Sequence, residues 1–217
     1  MVQRIEEELL LLARKRQASQ WPGYRNIHEF HNGAYEADYI SPWSKSAHNL
    51  ESGIVILGQD WASEDFLQGP FNEAVARFGY DPKLPTNINL SRLLNDHLQL
   101  RFSDVWATNL FPFVKSGGMS AQIPAAEYRR AAVEFLMPAL EIAKPKHVIC
   151  LGAGVRRHFG SVAGLGKMPP MDIAISKPLE LDGVLVHTVA HTGALGTNNR
   201  GKQRVEEDWK HLADRVL

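Results

Sequence analysis

IVILGQDWA, residues 54–62, is the stretch whose reading decides the fold. Four apolar residues bounded by Gly58 have the character of a strand buried on both faces, as strands of parallel sheets are. Asp60 then falls just past the carboxyl end of that strand, on the edge where open α/β sheets receive their ligands. Three further apolar runs follow, at 105–110, 148–152 and 184–190. Helical patterns lie between and after them. Residues 89–100 (NLSRLLNDHLQL) place Leu90, Leu93, Leu94 and Leu98 on one stripe. A second helix is expected over 125–143, entered after Pro124 and bent or ended near Pro138. Shorter ones are expected over 156–162 and 203–216. Strands alternating with helices predict an α/β fold with a four-stranded, mostly parallel sheet.

A chain of 217 residues, 44% apolar and 22% charged, has the size and composition of one globular domain. We take 1–217 as a single domain, with 51–217 as its core. The first fifty residues, which hold Trp21, Tyr24, Phe30, Tyr35, Tyr39 and Trp43, are read as a covering segment wrapped around that core. The chain opens on an amphipathic helical pattern rather than a signal peptide, and no apolar run is long enough to span a membrane. One cysteine, Cys150, excludes an internal disulfide and points to a reducing, cytoplasmic setting. Lysines and arginines balance aspartates and glutamates at 24 each, which argues against indiscriminate nucleic-acid binding but leaves room for a local basic patch. Nothing in the pattern calls for a coiled coil, so a monomer is expected.

In a parallel sheet the groups that follow each strand converge on one edge. Here they are Gln59 and Asp60, Thr108 and Asn109, Gly152, and His191 with Thr192 to Leu195. Each has a structural alternative: Asp60 as a helix cap, Asn109 as a loop brace, His191 as a core histidine, Gly152 as a tight turn. Together, a carboxylate, an amide, a glycine turn and an imidazole outline a catalytic site. Two other chemistries fit less well. His187 and His191 on an extended strand would lie about 13 Å apart, too far to share a zinc ion, and HEFH (28–31) lacks the helical spacing of a zinc motif. GAGVRR (152–157) lacks the third glycine of a dinucleotide loop. No metal and no cofactor are expected.

These motifs resemble those of the uracil-DNA glycosylase superfamily. GQD at 58–60 is similar to its first catalytic motif, HTGAL at 191–195 to its second, and Thr108-Asn109 to the strand end whose asparagine reads the base. LPTNINLSRLL (84–94) resembles the proline loop and helix that touch the DNA backbone, and QGPF (68–71) the segment bearing a stacking phenylalanine. The resemblance covers about residues 50 to 212 in order and implies a three-layer sandwich. It also implies a monofunctional DNA glycosylase of base excision repair, releasing uracil or a related deaminated base.

In that role Asp60 would orient water and stabilise the sugar cation, and His191, neutral, would donate a hydrogen bond to the departing base. Gln59 would offer a backbone N–H, Asn109 would read the base edge, and Phe71 would stack on it, with Phe66 as a rival. Trp61 and Ala62 stand where the family carries a proline and a tyrosine, which bears on whether thymine is admitted. Thr192 and Ala194 replace prolines of the second motif. Leu195 would be the wedge that offsets base flipping. Pro85, Thr86, Gly152, Asn198 and Arg200 would contact DNA, the last two from a polar, basic loop GTNNRGKQR. No lysine occurs in these motifs to form a Schiff base, hence monofunctional. Two alternatives stay open: a catalytically silent nucleic-acid binder on the same scaffold, and a glycosidase acting on a small nucleoside.

Overall fold

The computed structural model describes residues 2–217. Its centre is a five-stranded sheet in the order β2-β1-β3-β5-β4, where β1 is Ile54–Asp60, β2 Trp106–Phe111, β3 His147–Leu151, β4 Leu179–Leu181 and β5 Val184–Val189. Strands β1, β2, β3 and β5 are parallel, and β4 runs antiparallel against β5. The expected four strands are thus present, and β4 is an addition at the edge. It is only three residues long and hangs on a hairpin in which Asp182 and Gly183 both take positive φ (49° and 83°). That is the backbone demanded by a two-residue primed turn, which Asp-Gly favours.

Side chains alternate across a strand, so each central strand feeds two cores. Val55, Leu57, Val148, Cys150 and Val186 pack on one side against Phe135, Leu136 and Phe159. Ile54, Ile56, Ile149, Leu151 and Val189 pack on the other against Leu90, Leu94, Val205 and Trp209. Helices therefore cover both faces, and the layering is helix–sheet–helix.

The helical expectations need adjusting in their bounds. The helix expected at 89–100 begins earlier, at Pro85, where a first-turn proline has no intrahelical N–H to lose. It spans Pro85–Leu93 and passes into a wider turn, Leu94–Leu98, closed by Gln99 in the left-handed region (φ 54°). The helix entered after Pro124 is not ended by Pro138. A widened turn at Ala132–Leu136 precedes Met137–Ala143, so the proline sits near the start of a segment and not within a regular ladder. The segment after Gly193 departs more: its first part is a helix, Ala194–Arg200, and only Gly201 breaks it from the last helix, Lys202–Val216.

The first fifty residues do cover the core, and they also enter it. Helix Val2–Ala18 is followed by short single turns. Trp21 lies in the first core, 4.6 Å from the Phe113 ring centroid, and its indole N–H donates to Glu127 at 2.6 Å. Trp43 lies in the second. Arg16 is fully buried, which a guanidinium tolerates only when paired. It pairs with Glu36, one N–H···O bond measuring 2.8 Å, and donates to the carbonyls of Ala37 and Tyr39. No helix among the described residues is long and apolar enough to cross a membrane.

At the amino end of the sheet, His147 on β3 and His187 on β5 meet ring to ring, Nδ1 to Nε2 at 3.0 Å. His187 is therefore committed to His147. One N–H serves such a contact, and a second proton would place two donors face to face. Burial, then the neighbouring His147, lowers the His187 pKa from 6.5 to about 4. A group whose folded pKa is depressed stabilises the fold fully above its unfolded pKa, and that stability is lost as pH falls through the folded value. Urea unfolding should show wild-type stability dropping from about pH 6.5 towards pH 4, by on the order of 2 kcal/mol more than in His187→Gln. Parallel pH profiles for the two proteins would refute the assignment.

Candidate active site

The strand order places β2 on one side of β1 and β3 on the other, so the chain leaves the carboxyl ends of β1 and β3 in opposite directions. A crevice opens at such a switch point. It is occupied here by a cavity of about 490 Å³, in the usual range for a small-molecule or nucleotide site. Gln59, Asp60, Trp61, Ala62 and His191 all line it.

Asp60 is the last residue of β1, not the first beyond it, because it still pairs with Phe111 of β2. That placement holds its carboxylate against the sheet, with only 10% of the side chain exposed. Its partner is Lys115, whose Nζ lies 3.0 Å from Oδ1. Lys115 follows β2 and is itself 7% exposed; its ammonium also donates to the Met119 carbonyl at 2.5 Å. Burial raises the Asp60 pKa above the ordinary carboxylate value, while Lys115 and, more weakly, His191 pull against it. The lysine-free reading of the motifs is thereby corrected: no motif carries a lysine, yet the folded site does. A lone lysine in a Val-Lys-Ser-Gly-Gly loop has no local signature, and only its position one loop after β2 ties it to Asp60.

His191 follows β5 and opens into the same cavity. Gly152, at φ 101°, sits against it; a Cβ there would come within 3.1 Å of the His191 Cβ. The turn after β3 thus needs glycine both for its backbone and for the imidazole beside it. The Gly193 N–H donates to His191 Nδ1 at 3.0 Å. An imidazole nitrogen that accepts carries no proton, so the ring is neutral and presents Nε2–H as a donor. Burial lowers the His191 pKa, against the opposing pull of Asp60. The loop is fixed by Thr192, whose hydroxyl donates to the Thr86 carbonyl at 3.0 Å and whose carbonyl accepts from Asn89 at 2.8 Å. Thr192 therefore holds the loop by hydrogen bonds where a proline would hold it by ring geometry, and Ala194 opens the helix that follows.

The other expected residues divide. Gln59 turns its side chain away, donating to the Tyr128 hydroxyl at 2.6 Å, which leaves its backbone as the part nearest the cavity. Trp61 is pinned by its indole N–H to the Gly79 carbonyl at 2.7 Å, and Ala62 beside it is buried. Thr86 lines the cavity and Pro85, at the start of its helix, is exposed next to it. Leu195 projects from the cavity lip with 76% of its surface exposed. Asn198 lies outside the cavity lining, on the exposed side of helix Ala194–Arg200, and Asn199 lines the cavity instead.

Three placements differ from expectation. Asn109 lies behind the cavity, not in its lining: its Oδ1 accepts from Ser41 at 2.5 Å, its Nδ2 is buried without a partner, and Gly58 and Trp43 stand in front. Phe71 packs outside on Tyr35, rings nearly parallel at 5.6 Å, while its rival Phe66 lines the cavity. Arg200 is not a free phosphate contact. Its guanidinium forms a two-bond fork on Asp208 at 2.8 Å and pairs with Asp172, so its charge is neutralised within the protein. Sequence reasoning also missed Asn87, a buried cavity-lining amide whose Nδ2 is fixed on the Asp81 carbonyl at 2.7 Å. Among the described residues no group of three or more His, Cys, Asp and Glu side chains is arranged to hold a metal.

Long-range ¹H–¹⁵N NMR of the imidazoles should find His191 as the Nε2–H tautomer at pH 7, titrating below an ordinary histidine. A proton on Nδ1 would sink this account of the loop. No protein-family model and no curated protein sequence matches this chain.

Proposed function

We propose that the protein is a DNA glycosylase of the uracil-DNA glycosylase type, hydrolysing the N-glycosidic bond of uracil or a related deaminated base. The observation that carries the reading is the pairing of Asp60 and His191 across one cavity, each at a strand end, with exposed Leu195 at its lip. Breaking the bond builds positive charge on the sugar and negative charge on the departing base. The Asp60 carboxylate, with Lys115 as its counter-charge at 3.0 Å, stabilises the former and orients the attacking water. The Nε2–H of neutral His191 stabilises the latter, as a donor oriented in advance by the Gly193 N–H on its other nitrogen.

Base selection on this reading falls to the lining that is present. The free Oδ1 of Asn87 and the backbone of Gln59 face the base edge, and Phe66 offers a ring to stack on. Ala62 replaces a bulkier side chain, but Trp61 is fixed beside it, so the wall is filled by the indole. Asn109 would act from behind, bracing Gly58 through Ser41 and the close approach of strand and ring. An exposed leucine at the lip favours a polymer substrate over a free nucleoside, since a wedge has use only where a stacked base must be displaced.

Single-turnover base release from duplexes carrying one uracil, thymine or hypoxanthine opposite guanine tests this. Uracil release is expected, slowed at least about 100-fold in both Asp60→Asn and His191→Ala, in line with loss of one electrostatic contact at the transition state. Leu195→Ala should slow release from duplex more than from single strands. No release from any substrate, with intact folding and tight duplex binding, would leave the silent binder as the better reading.

A further inference from the structure

We infer that Lys115 is an amine nucleophile towards abasic sites, giving the protein a lyase activity that cuts the DNA strand beyond base removal. The inference rests on the reading of the cavity as one that admits a deoxyribose flipped from DNA. It goes further because hydrolysis uses Lys115 only as a charge beside Asp60, not as a nucleophile.

The geometry is specific. A sugar seated against Asp60 also has the Lys115 ammonium close by, because the two groups are 3.0 Å apart and both line the cavity. Lysine has three donors, and only two are engaged, on Asp60 and on the Met119 carbonyl. The backbone at Lys115 is anchored by its N–H on the Ala62 carbonyl, and the buried side chain is aimed at the site by its contacts to Asp60 and the Met119 carbonyl. A simple counterion for Asp60 would be served as well by a sealed contact; this one lines the cavity.

The chemistry closes with the groups present. Lys115 passes one proton to the Asp60 carboxylate, which burial already biases towards its protonated form. The free amine attacks the C1′ aldehyde of the ring-opened abasic sugar. The carbinolamine takes back the proton from Asp60 and leaves as water plus an iminium, N=C1′, with Asp60 again anionic. Asp60 then removes a proton from C2′; the electron pair moves into the conjugated system and expels the 3′ phosphate as the C3′–O bond breaks. Water hydrolyses the iminium, returning the Lys115 ammonium and releasing an unsaturated aldehyde on the cut strand, while Asp60 gives the C2′ proton to solvent and is again a carboxylate. His191 is not the base in this scheme, because its Nδ1 is occupied by the Gly193 N–H and its Nε2 carries the proton.

The test uses the full chain and a duplex with a preformed abasic site, incubated with borohydride, which reduces the iminium to a stable amine. The expected result is a covalent protein–DNA adduct whose proteolytic peptide carries the sugar on Lys115, strand cleavage without borohydride, and at least a 100-fold loss of adduct in Lys115→Arg. An adduct absent from wild type, or mapped to the terminal amine or another lysine, overturns the proposal, whether or not Lys115→Arg folds. Base release is scored in parallel. Release without a Lys115 adduct overturns the lyase and leaves the hydrolytic reading standing, whereas a Lys115 adduct with no release of uracil, thymine or hypoxanthine supports the lyase and removes the hydrolytic reading.

Discussion

A carboxylate at the end of a buried strand must be solvated by the protein itself, and much of this structure follows from meeting that requirement for Asp60. A lone charge in such a place is too costly to persist and would neutralise. Lys115 supplies the counter-charge from the loop after β2, and parallel pairing of β1 with β2 is what brings the two loops together. The result is neither a fully stabilised ion pair nor a free acid. Burial and pairing act in opposite directions on the same carboxyl group, which leaves it able to exchange a proton with its neighbours.

The second ionisable group of the site is held by different means. His191 has no carboxylate hydrogen-bonded to it; a backbone N–H two residues on defines its protonation. That turn depends on helix Pro85–Leu93 through Thr192 and Asn89, so the imidazole is positioned by an element on one face of the sheet while Asp60 is positioned by the sheet itself. Placing acid and imidazole on separate supports lets each be oriented without the other, and the cavity is the gap between them.

The strands were legible because a buried parallel strand writes itself as an uninterrupted apolar run. Their carboxyl ends followed from topology alone, and with them Asp60, His191 and Gly152. What escaped was information carried by distant contacts. Strand β4 is three residues beside a Pro178, too short for any period to show, although Asp182-Gly183 marked its hairpin. Helix Ala194–Arg200 is built from Gly, Thr and Asn, poor helix formers, and is held by the fork of Arg200 on Asp208. The same fork removes the phosphate contact that a basic loop led us to expect. The roles of Phe71 and Asn109 rested on motif resemblance, but Phe66 stands at the wall instead, and the Trp43 ring from the covering segment screens Asn109.

That covering segment carries a consequence for how the site comes into being. Ser41 reaches Asn109 at a strand end across 68 positions, and Trp21 bonds to Glu127 across 106. Contacts of such span close large loops and form late, after local helices and the nearer strand pairings. Pairing of β1 with β3, Ile54 beside His147, closes a loop of comparable span, so sheet and covering segment are completed together, and an opening of the first fifty residues would take Trp21 and Trp43 out of both cores. Competence at this site is a property of the finished chain topology, in which a segment from one end of the chain and a strand end from its middle must both be in place.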